Sequence, residues 1–70
     1  MDKEFIEKVA NRIKSLRKEK GLKQDDLACD EVSRSTIGMF ETAKTDITLS
    51  KIKRIAEALK VEPYELLKFD

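Results

Sequence analysis

Apolar side chains in the first part of the chain recur at intervals of three and four: Phe5, Ile6, Val9, Ala10, Ile13 and Leu16. That is the helical period, and it predicts an amphipathic first helix. Asp2 can cap its start, and Lys18 and Lys20 suit the negative end of its dipole. Gly21 fits the left-handed position just past the helix end, and Leu22 can then fold back onto the last turn. A second helix is predicted from Gln24, with Asp25 and Asp26 in its first turn and Leu27 and Ala28 facing inward. The chain then turns about residues 30–32. Ser33 is a good N-cap for a third helix whose buried side is Ile37 and Phe40. Residues 43–47 read as a loop, and Thr48 is a second N-cap. It opens a fourth helix with the stripe Leu49, Ile52, Ile55, Ala56 and Leu59, while Lys51, Lys53 and Arg54 lie outside the stripe. Glu62 and Pro63 open a short fifth helix, where proline's missing N–H costs nothing, and Leu66 and Leu67 are expected to pack inward. No stretch alternates with period two, so no sheet is expected. The fold class is all-α, a compact five-helix unit, with one domain over residues 1–70.

Length changes that picture by limiting the core. A chain of 70 residues buries only about 60% of its unfolded surface, and its core alone rarely supplies more than ~3–5 kcal/mol. A homodimer is therefore expected. One cysteine, Cys29, and no histidine leave neither a disulfide framework nor a four-ligand zinc site. No metal, cofactor or small-molecule ligand is expected. Cys29 reads as a small helix residue, and Asp30 and Glu31 beside it disfavour a thiolate. No apolar run approaches the ~20 residues of a membrane span, and the first residues lack the apolar stretch of a signal peptide. A cytoplasmic protein of a bacterium or phage, with no membrane partner, is expected. An enzyme is not, since there is no histidine, no glycine-rich phosphate loop and no carboxylate pair in an apolar setting.

Net charge is only +1, but its distribution is uneven. Residues 1–24 hold eight basic and four acidic side chains, residues 25–31 four acids and no base, and the remainder seven bases and six acids. A basic stripe can therefore exist without a basic total. A solvated helix face laced with pairs such as Glu4 and Lys8 explains the first helix equally well.

The richest stretch is residues 24–41, QDDLACDEVSRSTIGMFE. It reads as two short helices about a sharp turn. The second presents Arg34, Ser35 and Gly38 on one face and Ile37 and Phe40 on the other. A short helix with a packed back and a small polar front suits a DNA major groove.

With these residues in view, the chain resembles the phage-repressor class of helix-turn-helix proteins. That class comprises the lambdoid Cro and repressor DNA-binding domains and the xenobiotic-response-element group. The likeness runs over about residues 9–67. RIKSLRKEKGLKQ (12–24) resembles the first helix and its approach to the second, QDDLA (24–28) the start of the second, VSRSTIGMFE (32–41) the recognition helix, and ITLSKIKRIAEALKV (47–61) the fourth. The spacing of ETAKTDITLSKIKRI is also similar to controller proteins of restriction–modification systems, a less specific likeness. The resemblance implies a lambda-repressor-like fold that binds double-stranded DNA as a homodimer on a palindromic operator and regulates transcription. It implies base contacts from Arg34, Ser35, Thr36, Gly38 and Met39, and phosphate contacts from Gln24, Ser33, Arg17, Lys44 and Thr45. It also implies an ion pair between Arg17 and Glu41 that bridges the first helix to the end of the recognition helix. For several of these the residues leave a plainer role open. Gln24 can simply start a helix, Ser33 can cap without touching DNA, Arg34 can grip a phosphate, Thr36 can lean back on its helix, and Met39 can fill core.

Two departures from the class bear on docking. ACDEVS is one residue short and lacks the usual turn glycine, so the turn is tighter or the second helix ends a residue early. Thr42 and Ala43 stand where Asn-Gly is common, so the recognition helix is free to run longer. The dimer contact is expected at the C-terminal end, where Tyr64, Leu67 and Phe69 crowd apolar surface, although these residues could instead close the monomer core. A different functional class also fits: a protein-interaction module or antitoxin that kept the fold, favoured by the short turn and by Asp25, Asp26, Asp30 and Glu31.

Overall fold

The computed structural model describes residues 2–69. Four α-helices and a 3₁₀ helix follow in order: α1 Lys3–Glu19, α2 Gln24–Leu27, α3 Arg34–Glu41, α4 Leu49–Leu59 and the 3₁₀ turn Pro63–Leu67. Among the described residues there is no strand, only an isolated bridge between Cys29 and Val32.

Local chemistry sets the helix ends. Asp2 accepts the Phe5 N–H at the start of α1. At its end Gly21 stands at φ 70°, the left-handed region where a Cβ would be strained, and Gly21 and Leu22 donate back to the Lys18 and Arg17 carbonyls. Ser33 caps α3 by accepting the Thr36 N–H, and Thr48 caps α4 by accepting from Lys51. Pro63 opens the 3₁₀ helix, and the Glu65 carboxylate takes the free Glu62 N–H.

The core forms where α1, α2, α3, α4 and the 3₁₀ helix converge. Ile13, Leu27, Val32, Ile37, Ile55, Leu59 and Leu66 are its most enclosed large side chains. Packing runs α1 on α3, α1 and α4 on the 3₁₀ helix, and α2 between α3 and α4. Arg12 Nε donates to the Glu65 carbonyl at 2.8 Å and so pins the C-terminal turn to α1.

Several sequence expectations are corrected. The fifth helix is a 3₁₀ turn, closed by i→i+3 bonds from the Glu65 N–H to the Glu62 carbonyl and from the Lys68 N–H to the Glu65 carbonyl. Phe5 is 48% exposed and Leu49 83% exposed, although both belong to helical apolar stripes, and Leu67 is 45% exposed. The three line one open groove, so each is covered on one side only. Ala28 is a half-buried C-cap rather than a helical residue, and Cys29 is an exposed turn residue rather than part of a helix. The glycine-free turn is made by Cys29 and Val32 exchanging two backbone hydrogen bonds, and α2 is accordingly only four residues long.

α3 does not run on past Glu41. Its Thr42 hydroxyl donates to the Gly38 carbonyl at 2.9 Å, and Ala43 itself takes the left-handed position at φ 56°. A left-handed alanine costs roughly 1–2 kcal/mol. The methyl group recovers part of this by packing with Ile6 and Ala10 of α1 in a small satellite core.

Candidate nucleic-acid interface

The front of α3 is bare. Arg34 and Ser35 are exposed, Met39 is 44% exposed, and Gly38 lies half-buried between them. Its back is sealed, with Ile37 fully enclosed and Phe40 at 2% exposure. Met39 is therefore not core filler. Thr36 is half-buried, and its hydroxyl lies 2.9 Å from the Ser33 hydroxyl. Ser33 also accepts the Thr36 N–H, so the two side chains satisfy each other at the helix start.

The glycine at 38 has no internal cause. Its φ is not positive, and a Cβ built there would meet only Gln24 Oε1 at 3.9 Å, an ordinary contact. Glycine inside a helix is less favourable than alanine by ~1 kcal/mol. Nothing in the fold offsets that loss.

Behind the front lies a buried ion pair. Arg17 Nε donates to Glu41 Oε2 at 2.7 Å, and Nη2 donates to Oε1 at 3.0 Å. The side chains are 12% and 1% exposed. Arg17 Nη1 also donates to the Leu22 carbonyl at 2.9 Å, just after the end of α1. Gln24 Nε2 donates to the same Glu41 Oε1 at 3.2 Å. One carboxylate thus ties together the ends of α1 and α3 and the start of α2. Its hydrogen bonds hold the Arg17 guanidinium pKa above the ordinary arginine value, so the group stays charged. The Gln24 amide nitrogen is engaged by this bond.

Arg17, Lys23, Gln24, Asp25 and Arg34 line an open basin of about 550 Å³. The structure thus gathers three of the residues picked from sequence, Arg17, Gln24 and Arg34, and adds Lys23. Lys23 went unnoticed because its signal, a basic residue immediately before a helix start, is a common one. Its backbone N–H is taken by the Asp26 carboxylate at 2.7 Å, while its side chain is exposed. Lys44 and Thr45 lie apart from the basin, in the loop after α3. Lys44 is exposed and its N–H closes onto the Met39 carbonyl at 3.0 Å, whereas Thr45 is half-buried.

The acids that favoured a protein partner are partly occupied. Asp26 caps α2, and Glu31 in the turn accepts from Arg54 Nε of α4 at 2.9 Å. Arg54 also reaches Glu57, and the hydrogen bonds to these two carboxylates raise its pKa. Tyr64, Leu67 and Phe69 are 66%, 45% and 39% exposed, so they do not close the monomer core. Among the described residues no group of three or more His, Cys, Asp or Glu is placed to hold a metal, and no helix is long and apolar enough to cross a membrane.

Comparison with known proteins agrees with this geometry. A family profile described as helix-turn-helix matches residues 13–66. The crystal structure of the restriction-modification controller protein C.AhdI from Aeromonas hydrophila is similar at 37% identity, over 87% of this chain and 94% of that one, with a TM-score of 0.81. No curated protein sequence matches the chain.

Proposed function

The chain belongs to the helix-turn-helix family of the Cro type, and on that premise we propose that it is a sequence-specific regulator of transcription that binds a palindromic DNA operator as a homodimer. The observation that carries this reading is the exposed front of α3 beside a basin with three cations. A short helix with small front residues enters the major groove, and its first turn meets base edges. Arg34, Ser35 and Met39 are the base-reading side chains, with Gly38 admitting the backbone and the Thr36 methyl at the edge. Arg17 and Lys23 hold the phosphate that flanks the groove, assisted by the Gln24 backbone amide at the start of α2. Asp25 in the same lining moderates that attraction. Ser33, Lys44 and Thr45 meet the sugar–phosphate strand on either side of α3. A second copy joins through apolar surface at the C-terminal end that includes Tyr64, Leu67 and Phe69. The likeness to a restriction–modification controller favours a stand-alone regulator of that kind.

An NMR titration with a duplex at low salt tests the placement of the interface. Amide shifts concentrated in residues 23–25, 33–39 and 44–45 support it. Shifts confined to α1 and the C-terminal turn would reject it.

Two substitutions examine separate parts of the surface. Lys44→Ala is expected to weaken binding to all sequences alike and to lower the slope of log affinity against log salt by about one unit. A changed sequence preference would remove Lys44 from the phosphates. Gly38→Ala is expected to stabilise the free protein by up to about 1 kcal/mol, because it adds a helix former where space is open. Its affinity for DNA should fall at the same time, since the new methyl group stands where the backbone approaches the bases. A variant that melts higher and binds as tightly as the parent takes the close approach out of the account.

A further inference from the structure

An open recess of about 300 Å³ lies between α1 and the chain that follows the 3₁₀ helix. Lys8, Asn11, Arg12, Ser15, Lys68 and Phe69 line it, with no acid among these described residues. It occupies the flank of α1 that meets the 3₁₀ helix through Arg12. Arg17, which meets Glu41 of α3, stands five residues on and is therefore turned about 140° away around the helix. Two of the three cations are placed by neutral groups. Arg12 Nε donates to the Glu65 carbonyl at 2.8 Å, and no hydrogen bond within the described residues uses its Nη groups. Lys8 Nζ lies 5.9 Å from the centre of the Phe69 ring, which Phe5 braces edge-on at 5.6 Å. Arg17 and Arg54 differ in this respect, since carboxylates hold both.

We propose that this recess binds the dianionic phosphate group of a small phosphomonoester. Lys8 and Arg12 stand four residues apart on α1, a spacing at which like charges repel. Lys68 brings a third positive charge to the same recess. An anion between them turns that repulsion into attraction, and the fold itself supplies none there among the described residues. The Arg12 Nη groups form a planar fork that fits the oxygens of a phosphate or a carboxylate. Charge decides between the two. A phosphomonoester carries about −1.5 to −2 near neutral pH, whereas a carboxylate or a backbone phosphodiester carries a single charge. Three cations match the dianion. The Asn11 amide and the Ser15 hydroxyl, one turn apart on the same flank, are donors for the remaining oxygens. Lys68 and Phe69 come to α1 only through the fold, so no pattern along the chain marks the site. An occupant would bridge α1 to the C-terminal segment, on a flank of the molecule other than the one proposed to meet DNA.

Titration of the full chain without DNA, at neutral pH and constant ionic strength and followed by amide NMR shifts, tests the site with small probes. Methyl phosphate is the monoester, dimethyl phosphate has the chemistry of a nucleic-acid backbone, and acetate that of an acidic peptide. Methyl phosphate is expected to give saturable shifts at residues 8–15, 68 and 69, with an affinity about tenfold above that of either other probe. Lys8 and Lys68 are exposed, so the double variant Lys8→Gln, Lys68→Gln should keep the parent's helical circular dichroism. Its affinity for methyl phosphate should fall about tenfold. Equal or tighter binding of dimethyl phosphate or acetate overturns the phosphomonoester assignment. Methyl phosphate shifts that do not saturate at the recess, or that gather at Lys23 and Arg34 instead, overturn the site. An affinity unchanged in the double variant overturns it as well.

Discussion

Arg17→Met is expected to destabilise the fold by about 3–5 kcal/mol, enough to leave a domain of this size mostly unfolded at room temperature. The reasoning turns on which partner is stranded. The Glu41 side chain is 1% exposed and takes hydrogen bonds from Arg17 and Gln24. Without the guanidinium, a carboxylate remains inside with one amide donor, and a charge cannot be buried so without a large loss. The opposite change is milder. Arg17 keeps 12% exposure toward the open basin and a bond to the Leu22 carbonyl, so Glu41→Gln leaves a cation that can turn toward water. Glutamine also preserves an acceptor oxygen. Urea denaturation followed by circular dichroism should show the midpoint falling much further for Arg17→Met than for Glu41→Gln. Equal losses would mean that the burial difference does not govern the pair. Because this pair binds the ends of α1 and α3 to the start of α2, Arg17→Met should also weaken DNA binding at protein concentrations where some folded chain remains.

Arg34→Ala is expected to cost about 1–3 kcal/mol in operator affinity and to relax preference at a single base pair, with little change in folding stability. Arg34 is exposed and stands in the first turn of α3, where nothing else uses its guanidinium. Its planar fork can donate to O6 and N7 of guanine together. Lysine supplies the charge without the fork. If Arg34 reads a base, Arg34→Lys should therefore restore general affinity but not the preference. The plainer role, a grip on phosphate, has a different signature. Binding to every operator variant would fall alike, and Arg34→Lys would recover most of it. Competition binding against single-base variants at constant salt separates the two.

Much of the fold was legible because local chemistry and global packing agree. The three-and-four spacing located α1 and α4, and Asp2, Ser33 and Thr48 cap the helices they precede. Gly21 takes the left-handed turn its position called for. The failures share a cause. Periodicity gives the angular position of a side chain on its helix but not whether another element lies opposite, so Phe5 and Leu49 were assigned to a core they overhang. The end of α3 escaped local reasoning for a related reason. Ala43 is a poor choice for a left-handed position on propensity alone, and the compensating contact is with Ile6 and Ala10, far away in sequence.

The site was legible in a different way. Residues 34–39 drew attention through their own polarity, since small polar groups occupy one side of a helix whose other side is apolar. Arg17 and Glu41 were paired only through resemblance, because charges 24 positions apart carry no local signal of contact. Gln24 as a third member of that cluster and Lys23 at the basin depend on how α1, α2 and α3 meet. No pattern along the chain encodes that junction.

On the proposed function, the front of α3 reads sequence in duplex DNA twice, across a two-fold axis. Selection of bound duplexes from a random pool at one constant salt concentration tests it most directly. The account predicts two inverted half-sites whose centres lie about one helical turn, ~34 Å, apart, with enrichment lost when Arg34 is replaced. A pool that emerges from repeated rounds at low salt with no sequence enriched would contradict it.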